Sequence, residues 1–187
     1  MNVAAILLAA GKSSRFGANK LLHPVDGRPI AVHAAIALHS AFPGALAVVS
    51  PGSPVQPLLE AAGLRTFVSE RAAEGMGESL KTGIAATRDA DGWVVALADM
   101  PFIRPLTHLN IERALRRGAA IAAPAYRGER GHPVGLGGRF RDDLLQLTGD
   151  AGARFILKNH ADEIHLVDVD DPGVLKDIDT PQDLPAA

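Results

Sequence analysis

The sequence predicts an α/β protein: one Rossmann-like domain over residues 1–187, with a mostly parallel sheet covered by helices on both faces. Three observations carry this expectation. Short apolar runs alternate with helical patterns along the chain. The runs are apolar at nearly every position, as in AAILL (4–8) and VVALA (94–98), which suits strands buried on both sides. Finally, no internal repeat, low-complexity tract or long linker divides the 187 residues, a length that fits one core.

Strands are expected at Val3–Leu8, Ala45–Val49, Arg65–Val68, Trp93–Ala98, Ala119–Ala123 and Ile164–Val169, each bounded by Gly, Pro, Ser or Asp. Helices are expected between them. The first covers Pro29–Ala41. The second covers Pro54–Ala62, with Ser53 as N-cap and Val55, Leu58, Leu59 and Ala62 on one face. Gly77–Arg88 follows, then Leu106–Arg117 with Ile111, Ala114 and Leu115 inward, then Gly152–Asn159. The glycine-rich stretch from Val134 to Arg141 shows no periodicity and is expected to be a mobile part of an acceptor site.

Composition excludes several classes of partner. Nineteen Lys plus Arg against twenty-one Asp plus Glu leave a formal charge of −2, so no bulk field recruits nucleic acid or an anionic membrane. There is no cysteine, hence no disulfide, thiolate metal site or thiol nucleophile, as suits a reducing compartment. The longest apolar run, Val3 to Ala10, is too short to span a bilayer, and Asn2 supplies no cationic leader. A cytoplasmic location is expected. The histidines His23, His33, His39, His108, His160 and His165 show no ligand spacing, and no zinc site is expected.

In such sheets ligands collect at the carboxyl ends of the strands, where strand order reverses. Three segments lie there: Gly11 to Lys20, Asp99, and Asp177 with Asp179. In the first, Gly11 and Gly17 can take positive φ and aim backbone amides at one spot, while Arg15 offers a planar fork and Lys20 a mobile point charge. A polyphosphate is the natural guest. The alternative is an ordinary strand-to-helix loop with solvated cations, the reading preferred for Lys12. Two other phosphate loops are excluded by position: five residues before Gly11 stands Ile6 rather than the P-loop glycine, and Gly75-Met76-Gly77 is followed by Leu80 where a dinucleotide fingerprint needs its third glycine. A nicotinamide enzyme is not expected.

LAAGKSSRFGANK (8–20) resembles the L-A-A-G-x-S-x-R-[MF]-G-x-x-K signature of the MobA-like nucleotidyltransferases, and within them the molybdenum-cofactor cytidylyltransferases. EGMGESLKTG (74–83), LADMPF (97–102), GHPVGL (131–136), LTGDAGAR (147–154) and DIDTPQDL (177–184) match in order, so the resemblance covers essentially the whole chain. It implies a nucleotide-diphospho-sugar-transferase-like fold and Mg²⁺-dependent transfer of CMP from CTP to the terminal phosphate of a molybdopterin-type cofactor. It also implies a recipient molybdenum hydroxylase or its chaperone as partner. CTP rather than GTP is implied by Leu8-Ala9-Ala10-Gly11, since guanylyl-transferring relatives usually show LAGG. A non-catalytic carrier of the cofactor is the alternative from another class.

The resemblance implies a role for each matched residue. Arg15 would grip the triphosphate and Lys20 would neutralise the α-phosphate and leaving pyrophosphate. Leu8, Ala9, Ala10, Gly11 and Ser13 would line the nucleotide, and Gly75, Gly77 and Ser79 would meet its base or ribose. Asp99 would bind magnesium, which needs only one or two protein carboxylates; its other reading is a turn residue before Pro101. Asp177 and Asp179 share a side if their segment is extended. Asp177 is preferred as second metal ligand, because Asp179 precedes Thr180 and Pro181 and is placed to cap a helix starting there. His132 and Pro133 would face the acceptor, though His132 also reads as a structural hydrogen-bonder. Asp150 is either an acceptor-pocket residue or the N-cap of the helix that follows.

Overall fold

The computed structural model describes residues 1–11 and 19–184. In chain order its regular elements are β1 (Val3–Leu8), β2 (Pro24–Val25), β3 (Arg28–Pro29), α1 (Ile30–Ala41), β4 (Leu46–Val49), α2 (Gln56–Ala61), β5 (Arg65–Val68) and α3 (Met76–Ala85). There follow β6 (Gly92–Leu97), α4 (Pro105–Arg116), β7 (Ile121–Tyr126), β8 (Glu129–Arg130), β9 (Val134–Gly137), α5 (Arg141–Leu145), α6 (Arg154–Asn159) and β10 (Ile164–Asp168). The main sheet runs β5-β4-β1-β6-β9-β7-β10, with β8 paired on β7; β2 and β3 form a separate antiparallel pair. β1 is parallel to both β4 and β6.

All six expected strands are present, within a few residues at their ends. Their double-sided apolarity has the expected cause. Along β1 and just beyond it, Val3, Ala5, Leu7 and Ala9 pack on the face that also buries Ala34, Leu38, Ile111 and Leu115 of α1 and α4. Ile6 and Leu8 pack on the other, with Leu80 and Ile84 of α3 and Ile156 of α6. The period of two thus places every residue of the strand in one of two cores. No helix among the described residues is long and apolar enough to cross a membrane.

Four sequence expectations need correction. Ser53 does not cap α2: its amide donates to the Ser50 carbonyl, and the helix starts two residues after Pro54 with no side-chain cap. The third helix spans Met76–Ala85 rather than reaching Arg88. The helix expected from Gly152 starts at Arg154, and Asp150 sits in a separate 3₁₀ turn, so Asp150 is not its N-cap. The stretch beginning at Val134 is neither loop nor exposed: β9 is fully buried and lies antiparallel between β6 and β7. Its glycines mark close approach. A Cβ on Gly135 would stand 2.7 Å from Cγ2 of Ile111 in α4, so the helix can settle on the sheet only where that side chain is missing.

One buried histidine gives the fold a pH dependence. His108 in α4 is 2% exposed, and burial pushes its pKa down from 6.5 to about 4, against the opposing pull of Asp171. It is therefore neutral when folded, whereas the unfolded chain takes up the proton below pH 6.5. Between those values the unfolded state binds more protons, so stability falls as the pH drops from 6.5 towards 4, by at most about 3 kcal/mol. Denaturant titrations across that window should show the slope, and His108→Gln, which does not titrate, should flatten it.

Candidate active site

The chain runs outward from β1 through β4 to β5 and then returns to place β6 on the other side of β1. Strand order reverses between β1 and β6, and the crevice at their carboxyl ends is where the fold offers a ligand site. A cleft of about 390 Å³ opens there, lined by Leu8, Ala10, Gly11 and Lys20 from the first segment and Leu97 and Asp99 from the second. Ala72, Gly75, Met76 and Ser79 close one side, and Asp150 reaches in from the 3₁₀ turn.

At the floor of the cleft Lys20 joins two carboxylates. Its Nζ lies 2.8 Å from Asp99 Oδ2 and 2.6 Å from Asp179 Oδ1, and its side chain is only 12% exposed. The lysine stands at the start of a 3₁₀ turn that is anchored by buried Leu21 and capped by Asn19, whose Oδ1 accepts from the Leu21 amide. Burial pulls the Lys20 pKa down, but the hydrogen bonds to Asp179 and Asp99 and the charge of both outweigh it and hold the pKa above 10.5. The ammonium is thus fully charged at neutral pH. Asp99 Oδ1, in contrast, is buried with no hydrogen-bond partner among the described residues, an acceptor left open just beyond β6.

The capping role expected of Asp179 falls to Thr180 and Asp183. Thr180, not Asp179, begins the short Pro181–Asp183 turn: the Asp183 carboxylate accepts from the amides of Asp179 and Thr180 and from Thr180 Oγ1. The Asp179 carboxylate accepts from Lys20, while Asp177 is exposed. The Ile178 amide donates to the Asp99 carbonyl at 2.9 Å and its side chain is fully buried, which pins the segment against the end of β6. The T-P-Q-D spacing of a capping box was the sequence signal that identifies Thr180.

Gly11 does not use the left-handed conformation expected of it, and among the described residues nothing lies within 4 Å of where its Cβ would be. Gly17, Ser13, Arg15 and Lys12 fall outside the described residues. Ala9 is buried beneath the cleft, and Ser79 is 4% exposed in the first turn of α3. Gly75 and Gly77 serve packing. Gly75 has φ +138°, and a Cβ there would lie 2.2 Å from the Gly149 carbonyl carbon; one on Gly77 would lie 2.8 Å from the Gly149 oxygen. The glycines admit the turn that carries Asp150 against the start of α3. Gly75→Ala should therefore destabilise the chain by on the order of 2 kcal/mol and weaken nucleotide binding, as denaturant unfolding and nucleotide titration would show.

His132 is not among the residues that line the cleft, though the Asp99 charge reaches it. Its amide donates to the Val174 carbonyl at 3.0 Å, its Nδ1 is buried without a partner, and Pro133 beside it is buried. Burial lowers the imidazole pKa below 6.5, and the nearby Asp99 charge acts in the other direction. Missed by sequence reasoning was Glu78, buried in the first turn of α3 with Arg71 3.7 Å from its Oε1.

Comparison with known proteins identifies this arrangement. Residues 5–164 match the MobA-like NTP transferase domain. The chain belongs to that family. The purine catabolism protein PucB of Bacillus subtilis (strain 168) is 32% identical, over 95% of this chain and 92% of that protein. The nicotine blue oxidoreductase of Paenarthrobacter nicotinovorans is 30% identical, over 95% and 92%. The crystal structure of Rv0371c from Mycobacterium tuberculosis H37Rv matches with a TM-score of 0.79 at 25% identity, covering 97% of this chain and 94% of that one. As a MobA-like NTP transferase the chain is a nucleotidyltransferase on the nucleotide-diphospho-sugar-transferase fold, as its motifs implied.

Proposed function

We propose that this chain transfers CMP from CTP to the terminal phosphate of a molybdenum-carrying molybdopterin cofactor and releases pyrophosphate. The observation that carries the reading is the Lys20–Asp99–Asp179 cluster at the floor of the switch-point cleft. It supports the reading because Lys20 and Asp99 line the cleft and a charged lysine suits a triphosphate. The choice of CTP and of the acceptor rests on the motif resemblance, Leu8-Ala9-Ala10-Gly11 above all.

An oxygen of the acceptor phosphate attacks the α-phosphorus, the bond between that phosphorus and the α,β-bridging oxygen breaks, and pyrophosphate leaves with the bonding electrons. The protein's task is to position two polyanions and stabilise charge on them. Lys20 supplies a mobile positive charge for the α-phosphate and the departing pyrophosphate, aided by Arg15. Ser79 and the amides near Gly75 hold the nucleoside. His132, Pro133 and Asp150 border the acceptor.

The donor set fits a hard divalent cation: Asp99 has an unpartnered buried oxygen, and Asp179 sits across the same lysine. Asp99 and Asp179 would hold Mg²⁺, which when bound offsets triphosphate charge. A structure of Rv0371c is described as a manganese complex, which supports a divalent ion in this family. The product would pass to a recipient molybdenum hydroxylase or its chaperone.

PucB carries a purine-catabolism name, so a nucleotidyltransferase for another phosphorylated acceptor is the second reading. Pyrophosphate release from CTP and from GTP, with Mg²⁺ and with or without molybdenum-loaded molybdopterin, separates the two. Release from CTP that depends on the acceptor supports the proposal. Release that needs a different phosphate monoester moves the acceptor, and none with any acceptor favours a non-catalytic carrier.

A further inference from the structure

We propose that Asp150, with Met76 beside it, reads the nucleobase: its carboxylate accepts a hydrogen bond from the exocyclic amino group of cytosine and so selects CTP against UTP. This deepens the CTP reading above and rests on it. Only the motif resemblance sets Asp150 beside the acceptor. In the structure its neighbours are residues of the nucleoside side: Asp150, Gly75, Met76 and Ser79 line one cleft, and His132 does not. The 3₁₀ turn Gly149–Ala151 is seated on the first turn of α3 so closely that neither Gly75 nor Gly77 has room for a Cβ. Backbone packing therefore sets the place of Asp150 relative to Ser79.

Two features of that wall suit a planar heterocycle bearing an amino group. Met76 lines the cleft and is 46% exposed. Its Sδ lies 3.4 Å from where a Cβ on Gly152 would stand, so the side chain rests against the residue that follows the Asp150 turn. That leaves a polarisable apolar surface open to a ring. Among the described residues the Asp150 side chain makes no hydrogen bond or ion pair, and a carboxylate can only accept. It would repel a phosphate and welcome an amine. Cytosine presents its N4 amino group as a donor where uracil presents O4 as an acceptor. Uracil would set two acceptors against each other, a repulsion added to the lost hydrogen bond.

Calorimetric titration with the Mg²⁺ complexes of CTP, UTP, GTP and pyrimidin-2-one riboside triphosphate, which is CTP without the amino group, tests this in wild type and Asp150→Asn. Wild type should bind CTP about tenfold or more tighter than either UTP or the analogue, the effect expected of one hydrogen bond to a charged group. Asp150→Asn, whose amide can turn a donor towards O4, should bring CTP and UTP within about threefold of each other and leave the analogue nearly unchanged. Equal weakening of all four nucleotides would make the role of Asp150 structural and overturn the proposal. So would equal affinity of wild type for CTP and the analogue, a comparison that needs no variant and decides even if Asp150→Asn fails to fold. An unchanged ratio of CTP to UTP in Asp150→Asn, with a raised KM for molybdenum-loaded molybdopterin, returns Asp150 to the acceptor and overturns the base reading. If wild type binds GTP tighter than CTP, the choice of CTP falls and this proposal with it. CTP bound tighter than GTP but no tighter than the analogue overturns the role of Asp150 alone.

Discussion

Asp99→Asn should slow pyrophosphate release by about 10²- to 10³-fold, the loss typical when one charge-stabilising group is removed from a preorganised site, with little change in thermal stability. The substitution keeps the shape of the side chain and its place after β6. It removes the charge that Lys20 meets at 2.8 Å and turns the unpartnered oxygen, Oδ1, from half of a carboxylate into part of a neutral amide. The backbone tie from the Ile178 amide to the Asp99 carbonyl does not depend on the side chain, so the fold should persist. Steady-state rates beside a melting curve check both halves. An unchanged rate would remove Asp99 from the chemistry, and a collapsed melting curve would make its role structural.

The largest stability loss should come from Asp171→Ala, on the order of 2–4 kcal/mol, or a melting point lower by roughly 5–15 °C for a chain of this size. Asp171 is 2% exposed. Its Oδ2 accepts from the Arg104 amide at 2.9 Å and from Thr107 Oγ1 at 2.6 Å, and its Oδ1 accepts from the Gly173 amide at 3.1 Å. One carboxylate thus closes the N-terminus of α4 and ties to it the segment that leads on to Asp179. Alanine leaves three donors without their acceptor, two of them with no route to water, and favours no new contact. Asp171→Asn, which keeps one carbonyl oxygen, should lose about half as much. Equal melting points for wild type and Asp171→Ala would show that water replaces the carboxylate.

How far the sequence could be read depended on whether the signal was local. β1 and β6 announce themselves because burial on both faces demands apolar residues at every position, and Lys20 and Asp99 stand out because each lies inside an ordered motif, Asp99 just beyond the end of β6. β9 stayed hidden because its glycines look like a loop; they are glycines because Ile111 of a distant helix needs the space. Gly75 and Gly77 likewise answer to a distant segment, since they receive the backbone of Thr148 and Gly149. Asp177 and Asp179 could not be ranked from their spacing alone. What separates them is the capping of the next turn by Thr180 and Asp183, a local feature, together with the hold of Ile178 on the end of β6, a tertiary one.

The central claim is that a nucleoside monophosphate passes to an acceptor at the Lys20–Asp99–Asp179 cleft. Following the label from α-³²P-CTP in a single turnover with Mg²⁺ and molybdenum-loaded molybdopterin tests it most directly. Label should appear in an acceptor product, formed with one pyrophosphate per transfer and nearly absent with Asp99→Asn. Label that stays in CTP with the folded wild type, or passes to the acceptor equally well in Asp99→Asn, would contradict it.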